Sequence, residues 1–235
     1  MTTVVEVAKM IDHSLLHPML TDEELIEGCN LAKKYDVASV CIKPYAVKQA
    51  LEILKDSNVC IGTVVGFPHG SSQIYVKTFE AEQACKDGAT ELDMVVNIGK
   101  VLSEDWEYVE KEIRAIVDIG SKFGAKVKVI FENDFLLKDH YKIKLCEICD
   151  NLKVDFVKTS TGFGFVKGDD DKYSYNGATD HDLKLMRKFV SKDVQVKAAG
   201  KVRTLDDVLR VRDIGVTRIG ATATESILEE AKKRF

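Results

Sequence analysis

The chain has 235 residues, with 34 Lys+Arg against 38 Asp+Glu for a formal net charge of −4, and is 45% hydrophobic and 31% charged. That is the composition of a globular protein, and its mild acidity excludes the basic stripe that a nucleic-acid surface requires. No apolar run approaches the roughly 18 to 20 residues that cross a bilayer, and the start, MTTVVEVAKMIDHS, lacks the basic and apolar regions of a secretion signal, so the expectation is a cytoplasmic protein with no nucleic-acid and no membrane partner.

Short β-branched runs recur along the chain, each followed by a longer stretch with helical spacing. The first is MIDHSLL (10–16), after which Thr21 and Glu24 make a capping box that predicts a helix to Tyr35. VASVCIK (37–43), CIGTVVGF (60–67) and ELDMVVNI (91–98) follow. From Ser103 to Phe123 an apolar stripe of Trp106, Val109, Ile113 and Val117 predicts a long amphipathic helix. KVKVIFEN (126–133), DFVKTST (155–161), DVQVKAA (193–199) and TRIGATA (217–223) complete eight strand-like runs. Asp87-Gly88, Phe123-Gly124 and Ile214-Gly215 are helix stops. After the sixth run, Gly164 to Asn176 (GFVKGDDDKYSYN) reads as an exposed insertion, and the adjacent carboxylates of Asp169, Asp170 and Asp171 predict a mobile, solvated loop.

Strands apolar on both faces and separated by single helices imply parallel pairing through crossovers rather than hairpins. Eight such units predict an α/β fold of the (β/α)8 TIM-barrel type, a single domain spanning 1–235. The competing doubly wound sheet usually carries a Gly-rich turn after its first strand, and nothing of that kind follows Leu16. The prolines, Pro18, Pro44 and Pro68, fall just after strands, and Asp12, Lys43, Asp93, Asn97, Glu132, Asn133, Lys158 and Lys197 concentrate toward the same ends. In a barrel these ends share the face where active sites are built.

The six cysteines, Cys29, Cys41, Cys60, Cys85, Cys146 and Cys149, lie in apolar segments and read as buried free thiols. Cys146 and Cys149 form a CxxC with no second pair to complete a tetrahedral metal site. His13, His17, His69, His140 and His181 show no metal-ligand spacing and read mostly as loop or surface residues.

Lys158, Lys197 and Asp93 each sit inside an apolar run, where a charge is costly unless paired. They form either a salt-bridge network that holds the barrel together or the machinery of an amine nucleophile. A lysine attacks a carbonyl only as the neutral amine, and a second ammonium nearby disfavours the charged form of the first.

IDHSLLHP, ASVCIKPYAV, GTVVGFPHG, ELDMVVNIG, DFVKTSTGFG, VKAAGKVRT and TRIGAT, taken together and in this order, resemble the deoxyribose-phosphate aldolase family of class I, Schiff-base-forming aldolases with a TIM-barrel fold. The resemblance implies that Lys158 forms the Schiff base, that Lys197 depresses its pKa, and that Asp93 passes protons through a bound water. The implied reaction is reversible cleavage of 2-deoxy-D-ribose 5-phosphate to D-glyceraldehyde 3-phosphate and acetaldehyde, with no cofactor and no metal, because the iminium replaces a Lewis acid. It also implies substrate contacts from Asp12, Cys41 and Thr161, although a core role for Cys41 fits its chemistry equally well. A phosphate cradle is implied at Gly162, Gly200 and Gly220, with Lys201, Val202, Ala221 and Thr222 beside them.

Lys201 stands where the family usually has glycine, and Thr222 and Ala223 stand where a small-hydroxyl pair is common. These departures leave open another phosphorylated sugar as substrate, or a sugar-phosphate binding protein without catalysis. Lys201 is expected to point its ammonium at the phosphate. The chain ends in Phe235, without the tail tyrosine of some relatives. A homodimer is what the resemblance suggests.

Overall fold

The structure, a computed structural model, describes residues 2–168 and 170–235. The first half comprises α1 (Val4–Ala8), β1 (Ile11–Leu15), α2 (Asp22–Lys34), β2 (Ser39–Ile42), α3 (Val47–Leu54), β3 (Cys60–Val65), α4 (Ile74–Lys86), β4 (Glu91–Val95) and α5 (Ile98–Leu102). The second comprises α6 (Trp106–Phe123), β5 (Lys126–Ile130), α7 (Asp139–Asn151), β6 (Phe156–Lys158), β7 (Val166–Lys167), β8 (Tyr173–Ser174), α8 (Asp180–Phe189), β9 (Gln195–Ala199), α9 (Leu205–Asp213), β10 (Arg218–Ala221) and α10 (Thr224–Arg234).

Eight strands close in the order β1-β10-β9-β6-β5-β4-β3-β2, every pair parallel, which is the (β/α)8 barrel. Each strand-like run of the sequence supplies one barrel strand. Successive side chains of a strand point to opposite faces. Ile11, Val40, Ile42, Leu92, Met94, Val129, Val157, Val196, Ala198 and Ile219 bury outward against Leu25, Ile113, Ile116, Leu145, Leu183, Val208 and Ile227 of the helices. The alternate residues fill the lumen, where Asp12, Ser39, Glu91, Asp93, Lys128, Lys158, Lys197 and Arg218 are all buried.

Local chemistry sets the helix ends. Thr21 and Glu24 make the capping box of α2, each side chain accepting a backbone N–H at the other end of the turn. α6 starts at Trp106 rather than Ser103, because Asp105 caps it and Glu104, at φ +54°, breaks the chain after the short α5. Gly124 ends α6 at φ +69°, a left-handed position that glycine adopts without a Cβ penalty. Between α4 and α6 lies a buried ion pair, Lys77 to Glu112 at 2.7 Å. Lys77 also donates to the carbonyls of Gly70 and Val95, and Glu112 accepts the N–H of Asn97, so the pair laces together the segments that follow β3 and β4.

Two further expectations change, those for the insertion and for the cysteines. The insertion contains an antiparallel hairpin, β7 with β8, outside the barrel. The carboxylate repulsion expected there is offset by Lys167 pairing with Asp171 at 2.6 Å and Lys172 with Asp170 at 3.3 Å, while Asp169 lies outside the described residues. The histidines lie mostly on the surface, as expected: His17, His69, His140 and His181 are exposed, and His13 alone is buried, on the outer face of β1 and hydrogen-bonded to Thr224 at 2.8 Å. Of the cysteines, all of them free, Cys60 is exposed and Cys85 half-buried, because β3 starts at the open rim and Cys85 sits near the end of α4. No helix among the described residues is long and apolar enough to cross a membrane.

Candidate active site

Strand register brings the candidate residues together. Lys158 of β6 pairs across to Lys197 of β9, and the inward face of β4 carries Asp93. Lys158 and Lys197 each donate from Nζ to Asp93 Oδ2 at 2.8 Å. Lys128 Nζ lies 2.9 Å from Asp93 Oδ1 without hydrogen-bond alignment, so that oxygen is buried in an ion pair yet makes no directed bond. Lys197 also donates to Asp12 Oδ2.

Below this triangle the lumen is a layer of charge. Asp12 accepts from Ser39 at 2.6 Å, Lys128 at 3.1 Å and Arg218 at 2.5 Å, and Glu91 accepts from Lys128 at 2.5 Å and Arg218 at 3.0 Å. Taken ionised, the lumen holds four cations, Lys128, Lys158, Lys197 and Arg218, and three carboxylates, Asp12, Glu91 and Asp93. Losing the proton of Lys158 balances them three to three. Isolated charges are expensive in a low-dielectric interior, so the imbalance itself favours one neutral amine.

The electrostatics single out the same residue. Burial pushes Lys158 below the usual lysine range, and the Lys197 ammonium adds to that, with Asp93 only partly opposing. For Lys197 burial acts in the same direction, but Asp12 and Asp93 outweigh it and its pKa is raised. Burial alone would raise Asp93, yet the ammoniums of Lys128, Lys158 and Lys197 hold it well below the carboxylate range. Two lysines side by side are thus shifted in opposite directions, because one has two carboxylate partners and the other has one.

Above the triangle opens a cavity of about 430 Å³ at the C-terminal ends of the strands. Its wall includes Lys158, Lys197, Asp12, Cys41, Thr161, Gly162, Gly200, Lys201, Val202, Gly220, Ala221 and Thr222, so apart from Asp93 each of the site residues named from the sequence faces one space. Asp93 is fully buried behind them. Several have settled partners. Asp12 is saturated by cations and serves Lys197 as counterion. Thr161 donates its hydroxyl to Glu132 Oε2 and accepts the N–H of Phe163 at 2.9 Å. Cys41 lies 4.0 Å from Asp93 Oδ2, and burial pushes its thiol up to about 11, which makes it a neutral wall rather than a nucleophile. Lys201 adopts φ +61° after Gly200 at φ +89°, and its ammonium lies over the Tyr175 ring, 5.3 Å from the centroid.

Sequence reasoning missed Lys128, Glu91 and Arg218, which neutralise the lumen. The available signal was a charge at alternate positions of apolar strands, Glu91 before Asp93 and Lys128 in KVKVIF. Glu132, named from the sequence only as a polar residue at the strand ends, is buried at φ +58° and grips both the N–H and the hydroxyl of Thr161, while Phe165, Tyr175 and Arg203 of the cavity wall were missed. Elsewhere, Asp139, His181 and Asp182 lie close enough to share a cation, but the Lys142 ammonium already bridges both carboxylates. A larger groove of about 470 Å³ beside α4, lined by Tyr45, Phe67 and Phe79, has no paired lysine and carboxylate in its wall.

Comparison with known proteins gives a consistent result. Residues 6–222 match the family model described as DeoC/LacD family aldolase. A curated relative from Rhodopirellula baltica named deoxyribose-phosphate aldolase is 50% identical over 230 residues, covering 98% of this chain and 91% of its own. A crystal structure from Coccidioides immitis superposes with a TM-score of 0.89 at 32% identity, covering 98% of this chain and 87% of that one. A tetrameric deoxyribose phosphate aldolase from Aeropyrum pernix superposes with a TM-score of 0.86 at 27% identity, covering 99% and 94%.

Proposed function

We propose, from the premise that the chain belongs to the DeoC/LacD aldolase family, that this class I aldolase reversibly cleaves 2-deoxy-D-ribose 5-phosphate to D-glyceraldehyde 3-phosphate and acetaldehyde. The observation that carries this reading is the shared Asp93 Oδ2, with two buried lysines at 2.8 Å of which one alone is driven toward the neutral amine.

In the proposed mechanism the Lys158 amine adds to the aldehyde carbon of the open-chain sugar, and loss of water gives an iminium. The hydroxyl on C3, two bonds from the iminium carbon C1, gives up its proton as the C2–C3 bond breaks. That electron pair moves toward the iminium nitrogen, leaving an enamine on Lys158 and releasing glyceraldehyde 3-phosphate. Protonation of the enamine carbon and hydrolysis return acetaldehyde and free Lys158. Asp93 lies behind the cavity wall, so its proton traffic with substrate runs through a water. Lys197 stays cationic and stabilises both Asp93 and the neutral state of Lys158.

Phosphate binding is assigned to the backbone about Gly162, Gly200 and Gly220, where absent side chains leave N–H groups open to an anion. Phosphate sites in this region are a barrel habit. We place the enzyme in the cytoplasm, as its free thiols suit a reducing compartment, and propose a homodimer as its working assembly. Incubation with acetaldehyde and borohydride, followed by peptide mass mapping, tests the mechanism: a single reduced ethyl group on Lys158 is expected, and labelling confined to Lys197 would invert the roles. Turnover across a panel of phosphorylated aldoses and ketoses tests the substrate.

A further inference from the structure

The hairpin β7–β8 brings two aromatic residues from its flanks, Phe165 and Tyr175, to the mouth of the cavity above Lys158. Their rings meet edge to face with centroids 5.1 Å apart. The base of the hairpin is bolted to the barrel. Asp134 accepts the N–H groups of Asn176 and Gly177, and Gly200 accepts the N–H of Ala178 at 3.2 Å. Gly177 and Gly200 touch through their backbones so closely that a Cβ on Gly177 would stand 2.8 Å from the Gly200 carbonyl. Tyr175 is therefore held in register with the residue that follows Gly200, which is Lys201.

The Lys201 ammonium lies over the Tyr175 ring, and among the described residues it forms no ion pair. An aromatic face attracts a cation without cancelling its charge, so the ammonium is oriented yet still available to an anion. Arg203 lines the same wall, and the one carboxylate of the wall among the described residues, Asp12, is saturated by cations at the floor. The rim is thus cationic and the floor balanced, which is the field that draws a phosphate monoester in by its charged end.

We propose that Tyr175 is a positioning residue: it holds the Lys201 ammonium at the rim for the phosphate of the substrate, and so sets the preference for phosphorylated over unphosphorylated sugars. This rests on the reading of the cavity as a phosphorylated-sugar site. The test measures the affinity of the full chain for inorganic phosphate by calorimetry, in wild type, Tyr175→Phe, Tyr175→Leu, Lys201→Met and the Tyr175→Leu/Lys201→Met double variant, each checked for an unchanged circular dichroism spectrum. Tyr175→Leu should weaken phosphate binding about fivefold, Tyr175→Phe should retain wild-type affinity because it keeps the ring, and Tyr175→Leu should add nothing once Lys201 is Met. The loss in Tyr175→Leu should shrink as salt rises. Equal affinity in wild type and Tyr175→Leu, losses that add in the double variant, or no phosphate binding by the wild type would each overturn the proposal. Turnover of 2-deoxy-D-ribose 5-phosphate by the wild type, measured alongside, reports on the substrate reading separately: phosphate binding coupled through Tyr175 without that turnover would sink the substrate and leave the positioning role standing.

Discussion

Lys158 and Lys197 donate to one and the same oxygen, Oδ2 of Asp93, each at 2.8 Å, and only Lys197 has a second carboxylate, Asp12, to hold its proton. That asymmetry favours Lys158 over Lys197 as the proposed nucleophile. It also means that Lys197 acts on Lys158 through charge, and its removal has a signed consequence. In Lys197→Met the ammonium that disfavours protonation of Lys158 is gone and Asp93 is left to Lys158 and Lys128, so the Lys158 pKa rises. The amine is then protonated to higher pH, and the acid limb of kcat/KM should move to higher pH than in wild type. A pH–rate profile with an unmoved acid limb would contradict the assignment.

Asp93→Asn keeps the shape but removes the charge that three ammoniums share. Turnover should fall at least about 100-fold, the scale of positioned acid–base catalysis. Leaving buried ammoniums without their partner should also cost stability, roughly 3 to 5 kcal/mol by comparison with other broken buried pairs. Urea unfolding and single-turnover kinetics on the same preparation separate the two losses.

The hairpin should be dispensable for folding and not for substrate use. Among the described residues β7 and β8 pair only with each other, and the bonds to the barrel begin at Asn176 and Gly177. Replacing Lys167–Tyr175 by a short Gly-Ser bridge should leave the melting midpoint within a few degrees of wild type, while removing the Tyr175 wall of the cavity raises KM for the phosphorylated sugar. A collapse of the midpoint would show that the hairpin packs on the barrel more broadly than its bonds indicate.

The Lys77–Glu112 pair gives a stability prediction remote from the chemistry. Lys77→Met leaves Glu112 buried without its cation and two backbone carbonyls without their donor, so a loss of roughly 3 to 5 kcal/mol is expected. Lys77→Met/Glu112→Leu removes both charges and should recover part of it. Denaturant titrations of both variants check the order.

His13 sets a limit on the acid side. Burial lowers its pKa from 6.5 to about 4, so the folded state holds the ring neutral where the unfolded chain would protonate it. Its contribution is fully present above pH 6.5 and is lost as pH falls from there to about 4, for roughly 3 kcal/mol at 1.36 kcal/mol per pKa unit. Unfolding free energies between pH 7 and 4 should fall more steeply in wild type than in His13→Gln, which has no proton to gain.

The eight strands and their helices were legible because strand and helix periods are local, and so were Lys158, Lys197 and Asp93, because a charge inside an apolar run stands out wherever the chain folds. The start of α6 was read three residues early, since the apolar stripe carries no sign of the left-handed Glu104 that delays it. The hairpin was read as a loop because its pairing is two residues long and its carboxylates find their lysines only once the turn is made.

The sequence by itself determined the barrel and singled out the three charged residues proposed as the catalytic set, all from patterns within single segments. Only the tertiary structure decided which lysine is pushed toward the neutral amine, because that depends on how many carboxylates from other strands reach each ammonium. It alone set Lys201 over Tyr175, because the contact joins two loops that meet at Gly177 and Gly200. Charge balance and loop contact are sums over residues far apart in the chain, and closing the barrel is what brings them within range of one another.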